Sequence, residues 1–275
     1  MMNIMFADND LIVEGLELSI WTLLTHNKNV NIYVATMNIS VYENRNNSYH
    51  DYRAMTKEQR DWITKIVKYL DSNSNITFID CEEYYHNLLE GGVNEDTPFT
   101  PYTAIRLMAD EMLPNIDDLL YLDSDIAIQG NIEDMYYKYL HNNPYEYAIS
   151  CAYDAFDGKG EDVAGILLMN LGKMRRSGFL KNARKLYKKN LYRFPDQMAI
   201  RDTGPGMRLP ETYGYMEPWE ECKYNPIILH FTNHLTPKIY SKDRPNNVEY
   251  FYKRYHQFKY VQDGLNKLKT INMYL

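Results

Sequence analysis

Four short apolar runs, separated by helix-length patterns, fill the front half of the chain and leave little freedom in how it can fold. The runs are residues 4–7, 31–36, 76–79 and 119–122. Residues 11–24 read as a helix after the first run. Thr56-Lys57-Glu58-Gln59 is a capping box that opens a second helix, with Trp62, Ile66, Val67 and Leu70 on one face. Thr100-Pro101 opens a third, with Ile105, Met108 and Met112 on its inner side. Alternation of this kind predicts a mostly parallel sheet covered on both faces, so the expected class is α/β. The rear half is mixed: short strands at 126–128 and 148–152, a polar loop over 153–162, an apolar run over 164–171, a basic helix to about Asn190, and a late strand at 227–229. No repeat or linker divides the chain, and one domain is expected.

Open α/β sheets bind ligands at the carboxyl ends of their strands. Three of the apolar runs end in groups that carry chemistry: Ala7 runs into Asp8-Asn9-Asp10, Leu122 into Asp123-Ser124-Asp125, and Leu229 into His230. Asp123 and Asp125, one residue apart, can share a divalent cation, and His230 would add an imidazole. Two carboxylates and one imidazole suit Mn²⁺ somewhat better than Mg²⁺. Asp8-Asn9-Asp10 admits a rival, the D-x-D-x-T start of haloacid-dehalogenase-type phosphatases, but the fifth position is Ile12 and lacks the phosphate-binding hydroxyl. Neither G-x-x-x-x-G-K-[ST] nor G-x-G-x-x-G occurs, so phosphates would be held by metal and by cations such as Arg106 and Lys238.

Composition narrows the partners. The net charge of -7 argues against a nucleic-acid partner. The 26 tyrosines exceed what core filling needs, and aromatic rings stack on sugars. Cys81, Cys151 and Cys222 are odd in number and form no C-x-x-C, which excludes a zinc knuckle or disulfide framework and fits a reducing cytoplasm. The first residues lack the basic flank of a signal peptide, and no run approaches the ~18 apolar residues of a membrane span. A soluble or peripheral protein is expected.

Four blocks in order resemble glycosyltransferase family eight, the retaining GT-A enzymes that include lipopolysaccharide galactosyltransferases and glycogenin. Tyr102-Thr103-Ala104-Ile105-Arg106-Leu107, followed by Leu120-Tyr121-Leu122-Asp123-Ser124-Asp125, is similar to the family's Y-x-R-L helix and Y-L-D-x-D strand. Residues 164–171 resemble its N-[AS]-G-V-L-L-I-N-L block. Asp196-Gln197, and His230 followed by Lys238, complete the series. The resemblance implies a GT-A domain over residues 1–240, with 241–275 an aromatic and basic helical extension packed on the domain or facing a membrane. It implies Asp123, Asp125 and His230 as metal ligands, and Ala7, Asp8 and Asn9 as contacts to uridine and ribose. Arg106, Asp196 and Gln197 would hold the donor sugar, Ala164 and Gly165 would line its pocket, and Lys238 would neutralise the diphosphate.

The implied partners are a UDP-sugar (galactose or glucose) and a glycan, glycolipid or glycoprotein acceptor, with peripheral membrane contact through the C-terminal segment. The chain also departs from the pattern. The family's Phe-Asn before Ala-Gly is Asp162-Val163, which puts Asp162 where a sugar-contacting amide would stand. The family's H-x-x-G-x-x-K-P-W becomes His230 through Lys238, with Asn233 for the glycine and no tryptophan. Two other readings follow: an inverting transferase with Asp162 as base, and a sugar-nucleotide binding module without turnover.

Overall fold

The computed structural model describes residues 1–43, 48–95, 99–152, 161–216 and 226–231, together with 263, 264, 266, 267 and 270. In chain order the strands are β1 (Met2–Ala7), β2 (Val30–Thr36), β3 (Ile39–Glu43), β4 (Ser48–Tyr52), β5 (Asn75–Asp80), β6 (Asp118–Leu122), β7 (Ile126–Ile128), β8 (Tyr147–Ala152), β9 (Glu161–Asn170), β10 (Met207–Arg208), β11 (Tyr215–Met216) and β12 (Ile228–His230). The α-helices are α1 (Val13–His26), α2 (Lys57–Leu70), α3 (Glu82–Leu88), α4 (Ala109–Met112), α5 (Glu133–His141), α6 (Leu171–Ser177), α7 (Phe179–Lys189) and α8 (Pro195–Thr203).

A seven-stranded sheet runs β10-β8-β9-β6-β1-β2-β5. Its front, β6-β1-β2-β5, is all parallel, and β9 enters antiparallel between β6 and β8. Side chains alternate between the two faces, as the period of a strand requires. Ile4, Phe6, Leu120 and Leu122 pack on one side with α1 and α2. Met5, Ala7, Leu119 and Tyr121 pack on the other with α3, residues 101–113, α6, α7 and α8, whereas α5 joins the first side. The expected α/β class and mixed rear half are what the chain forms.

Several elements differ from the sequence reading. Thr100 makes no side-chain cap, and Pro101–Met108 is a 3₁₀ helix that continues into α4. The basic helix is broken into α6 and α7 at Gly178, whose φ of 70° lies in the left-handed region that glycine tolerates. The β3–β4 hairpin, α3 and α5 were not anticipated. Asp162, expected at the end of a loop, lies inside β9. The capping box is present as expected, Thr56 Oγ1 accepting from Gln59 N and Gln59 Oε1 from Thr56 N. Most of the C-terminal segment lies outside the described residues; Gly264 sits so close to α1 that an added Cβ would be 2.2 Å from Trp21 Cζ2.

Candidate active site

The site grows from the point where the sheet reverses direction of growth. From β1 the chain adds β2 and β5 on one side and β6 on the other, and the crevice between the carboxyl ends of β1 and β6 is the switch point. The parallel register pairs Ile4 with Leu120 and Met5 with Tyr121, so Asp8 emerges beside Ser124. β7 leaves directly after Asp125, and β12 runs antiparallel to it with His230 opposite Ile126. Phe231 N donates to Asp125 O at 2.9 Å, which fixes that register. A late strand therefore returns its terminal histidine to the mid-chain acids.

There Asp123, Asp125 and His230 present ligand atoms that all lie within 4.8 Å of one another. His230 Nε2 is 3.2 Å from Asp125 Oδ1 and 3.7 Å from Asp123 Oδ2. Burial favours the neutral imidazole, but Asp125 and then Asp123 outweigh it and raise the His230 pKa. The set fits a divalent cation on three grounds. Its donors are two hard oxygens and one imidazole nitrogen. An imidazole nitrogen is held against buried carboxylates. Finally, a Cβ at Gly165 would lie 2.3 Å from His230 Cε1 and 2.7 Å from Asp123 Oδ2, so the space beside the trio exists only because residue 165 lacks a side chain.

Gly165 reaches this place through a bulge. β8 pairs Ile149 with Leu167 but Ser150 with Val163, so residues 164–166 of β9 are surplus to the ladder. The surplus backbone is spent on the site. Gly165 O accepts from Asp123 N at 2.8 Å, Ala164 O accepts from Arg106 Nη1, and Ala164 N donates to Gln197 Oε1 at 3.2 Å.

Arg106 is the hub. It is 3% exposed, and the 3₁₀ helix delivers it to the crevice floor. Nη2 donates to Asp123 Oδ1 at 2.8 Å, and Nε lies 2.8 Å from Thr103 O and 3.0 Å from Asp196 Oδ2. The guanidinium stacks 4.2 Å from the Tyr121 ring centroid. Burial works against its charge, yet Asp123, Tyr121 and Asp196 hold it protonated. Asp196, in the first turn of α8, has its pKa raised by burial, with Arg106 opposing and Asp123 reinforcing.

Asp8 is fully buried, and its pKa is pushed up to about 8 by burial first and by Asp123 and Asp125 after it, with Ser124 partly offsetting. Asn9 Oδ1 accepts from Leu11 N at 2.9 Å in a local turn that steers the chain into α1. Helix α1 also braces the acidic loop. Ser19 Oγ lies 2.8 Å from Ser124 O and 2.6 Å from Ile126 O, and Gly15 lets the helix approach so closely that a Cβ would be 2.8 Å from Ser124 O. A cleft opens above, lined by Ala7, Ile12, Thr103, Arg106, Tyr121 and Asp123 among others.

The structure thus gathers Ala7, Asp8, Arg106, Asp123, Asp125, Ala164, Gly165, Asp196, Gln197 and His230 at one sheet edge. Asp10 turns away and lines a neighbouring cleft with Glu14 and Glu58. Asp162 stands at the periphery, its Oδ1 2.7 Å from Arg208 Nε. Lys238 lies outside the described residues. Three participants escaped the sequence reading: Tyr121, whose hydroxyl donates to Asp123 Oδ1 at 3.0 Å, Arg208, and Gly15. Tyr121 alone left a signal, a polar-tipped ring next but one to an acid in a buried strand.

This is the GT-A glycosyltransferase fold. Among solved structures the chain is similar to galactosyltransferase LgtC in complex with donor and acceptor sugar analogues, at 16% identity and a TM-score of 0.64, over 93% of this chain and 94% of that one. It is also similar to glycosyltransferase GlyE of Streptococcus pneumoniae, at 19% identity and a TM-score of 0.62, over 98% of this chain and 64% of that one. Mouse xyloside xylosyltransferase 1 is a third, at 14% identity and a TM-score of 0.57, over 84% of this chain and 97% of that one. At these identities the likeness is one of fold. No family model matches the sequence, and no curated protein matches it by sequence.

Proposed function

We propose that the chain transfers a hexose, galactose or glucose, from a UDP-sugar to an acceptor hydroxyl of a glycan, glycolipid or glycoprotein, with retention at the anomeric carbon. The observation that carries this reading is the convergence of Asp123, Asp125 and His230 beside Arg106 at the sheet's switch point. Those three side chains would hold Mn²⁺ (or Mg²⁺), which when bound neutralises charge on the diphosphate. Ala7, Asp8 and Asn9 would contact the nucleoside. Arg106, fixed on both sides by carboxylates, keeps its charge and position while negative charge develops on the departing UDP, and so needs no reorganisation. Ala164 and Gly165 would line the sugar's pocket, and Gln197, bonded to Ala164 N, would support it without attacking. The acceptor would enter on the leaving-group face, with a β-phosphate oxygen taking its proton.

Arg208 favours retention over inversion, because the carboxylate that an inverting reaction would use as base, Asp162, is engaged at 2.7 Å. The test is UDP release from UDP-galactose and UDP-glucose with Mn²⁺ and a panel of acceptors. Asp125→Asn is expected to abolish the metal-dependent release while leaving the fold intact, by circular dichroism. Near-normal release would remove the metal assignment, and an inverted product anomer by NMR would remove retention.

A further inference from the structure

The molecule's charge is unevenly placed. Although the net charge is -7, nine of its 30 Lys and Arg, and no Asp or Glu, lie between Leu171 and Pro195. Arg184 turns inward to Asp110, and Arg175 pairs with Asp117 at 2.6 Å. Lys173 donates to Asn143 O at 2.8 Å and Lys188 is half-buried, while Arg176, Lys181, Lys185, Lys189 and Arg193 are exposed. α7 buries Phe179, Leu180, Ala183, Arg184 and Tyr187. It leaves Lys181, Lys185 and Lys189 exposed, with Arg176 beside them at the end of α6. These four form no ion pair among the described residues.

The same face carries apolar groups that a solvated helix does not need. Leu191, just past α7, is 71% exposed, and Val93 is 47% exposed. Val93 N donates to Lys188 O at 3.1 Å, which places Val93 against Lys188 in the last turn of α7, three residues before Leu191. The face also borders the cleft. Two residues beyond Leu191 the Arg193 guanidinium lies 5.1 Å over Phe194, whose ring is 5.7 Å from that of Phe99. Phe99 precedes Thr100, which lines the cleft, and Phe194 precedes Pro195-Asp196.

We propose that the α6–α7 face with Leu191 and Val93 docks on an anionic lipid bilayer and turns the mouth of the cleft toward it. Charge complementarity selects this occupant. A chain that is acidic overall is repelled by such a surface, and only a segregated cationic face lets it approach. Leu191 and Val93 then enter the headgroup layer. The orientation brings a lipid-carried acceptor to the donor site, a consequence that rests on the transferase reading; the docking itself does not.

The test is co-sedimentation of the full chain with phosphatidylglycerol–phosphatidylcholine vesicles and with phosphatidylcholine alone. Binding is expected only to the anionic vesicles and should fall steeply with salt. Each removed cation is worth a factor of about 5, so K181Q/K185Q/K189Q should weaken binding by about 100-fold, with an unchanged melting temperature. A second full-length variant, K253Q/R254Q/K267Q/K269Q, is expected to retain most of the binding. Equal binding by wild type and the α7 variant, complete loss in the C-terminal variant, or binding to heparin but not to vesicles would each overturn the proposal. UDP release on a soluble acceptor, read separately, is expected to be the same in the α7 variant and wild type. Its absence from the wild type would defeat the transferase reading and leave the vesicle result standing.

Discussion

Adding one methyl group at Gly165 is the sharpest perturbation the structure offers. The new Cβ would lie 2.3 Å from His230 Cε1 and 2.9 Å from His230 Nε2. Carbon atoms pack at about 3.5–4.0 Å, so the imidazole must retreat by more than ~1 Å. His230 is 4% exposed, and its ring cannot swing into solvent. Metal–ligand distances tolerate about 0.2 Å, so a displacement of that size removes the nitrogen from any ion held by Asp123 and Asp125. Disturbing merely the outer support of a ligand costs about 10–100-fold in metal affinity, and losing a ligand should cost at least that. Overpacking adds roughly 1–3 kcal/mol of destabilisation, about 2–12 °C in melting temperature for a chain of this size. Gly165→Ala should therefore bind Mn²⁺, measured by calorimetry with UDP present, at least about 100-fold more weakly, with a parallel loss of UDP release. Gly206→Ala is the control. Its Cβ would lie 2.1 Å from Tyr147 Cε2, so it should destabilise by a similar amount without changing Mn²⁺ affinity. Wild-type Mn²⁺ affinity in Gly165→Ala would refute the argument, as would an equal loss in Gly206→Ala.

Asp196→Ala should lower turnover by about 10²–10³-fold while shifting UDP affinity only slightly, because it removes one of the two carboxylates that fix Arg106 and leaves the bonds to Thr103 O and Asp123 in place; equal losses in turnover and UDP affinity would reduce Asp196 to a structural cap. Asp8→Asn tests the buried acid. With a pKa of about 8 folded against 3.8 ordinarily, the unfolded chain releases its proton first as pH rises, so the wild type loses stability across that window and the variant does not. The melting-temperature gap in favour of Asp8→Asn, measured with EDTA, should widen by about 3–5 °C per pH unit at its steepest and level off above pH 8, whereas a constant gap would show that Asp8 does not carry the effect.

The front sheet was readable because its central strands β1 and β6 are buried on both faces and appear as apolar runs between amphipathic helices, while the edge strand β5 is half-exposed yet keeps Ile76, Phe78 and Ile79. The acids at its edge were readable for a related reason: an ionisable pair directly after a buried strand has few structural uses. The hairpin β3–β4 escaped although Asn44-Arg45-Asn46-Asn47 between its strands is turn-forming in composition, because Ser48–Tyr52 has no aliphatic residue to mark a strand. The 3₁₀ helix escaped because Pro at its start and an apolar face suit either helix type. The β9 bulge left no trace at all. Residues 164–166 are apolar like the strand around them, and what makes them functional is that three residues too many lie between Val163 and Leu167 for the partner strand. That is a fact of pairing, which one strand's sequence does not contain. Arg208 was hidden likewise, reaching Asp162 from a two-residue edge strand.

The electrostatics of the crevice make the case for a cation without appeal to likeness. Asp8, Asp123, Asp125 and Asp196 converge on a space where Arg106 is the one permanent positive charge among the described residues. The pKa values of Asp8, Asp196 and His230 are all raised: burial is the first cause at Asp8 and Asp196, with Asp123 adding to it, and at His230 Asp125 and Asp123 outweigh burial. Burying such a surplus is costly, and a fold that needed only rigidity would place apolar groups here instead. Asp110 and Arg184 show that the chain can balance a buried charge where it serves structure, one buried acid against one buried base at 2.5 Å, with the exposed Glu111 on the same guanidinium. At the switch point it leaves the balance open, and it keeps the adjoining position free by placing Gly165 there. A divalent ion would supply the missing charge. A diphosphate arriving with it would restore the surplus on the ligand's side, where Arg106 already waits.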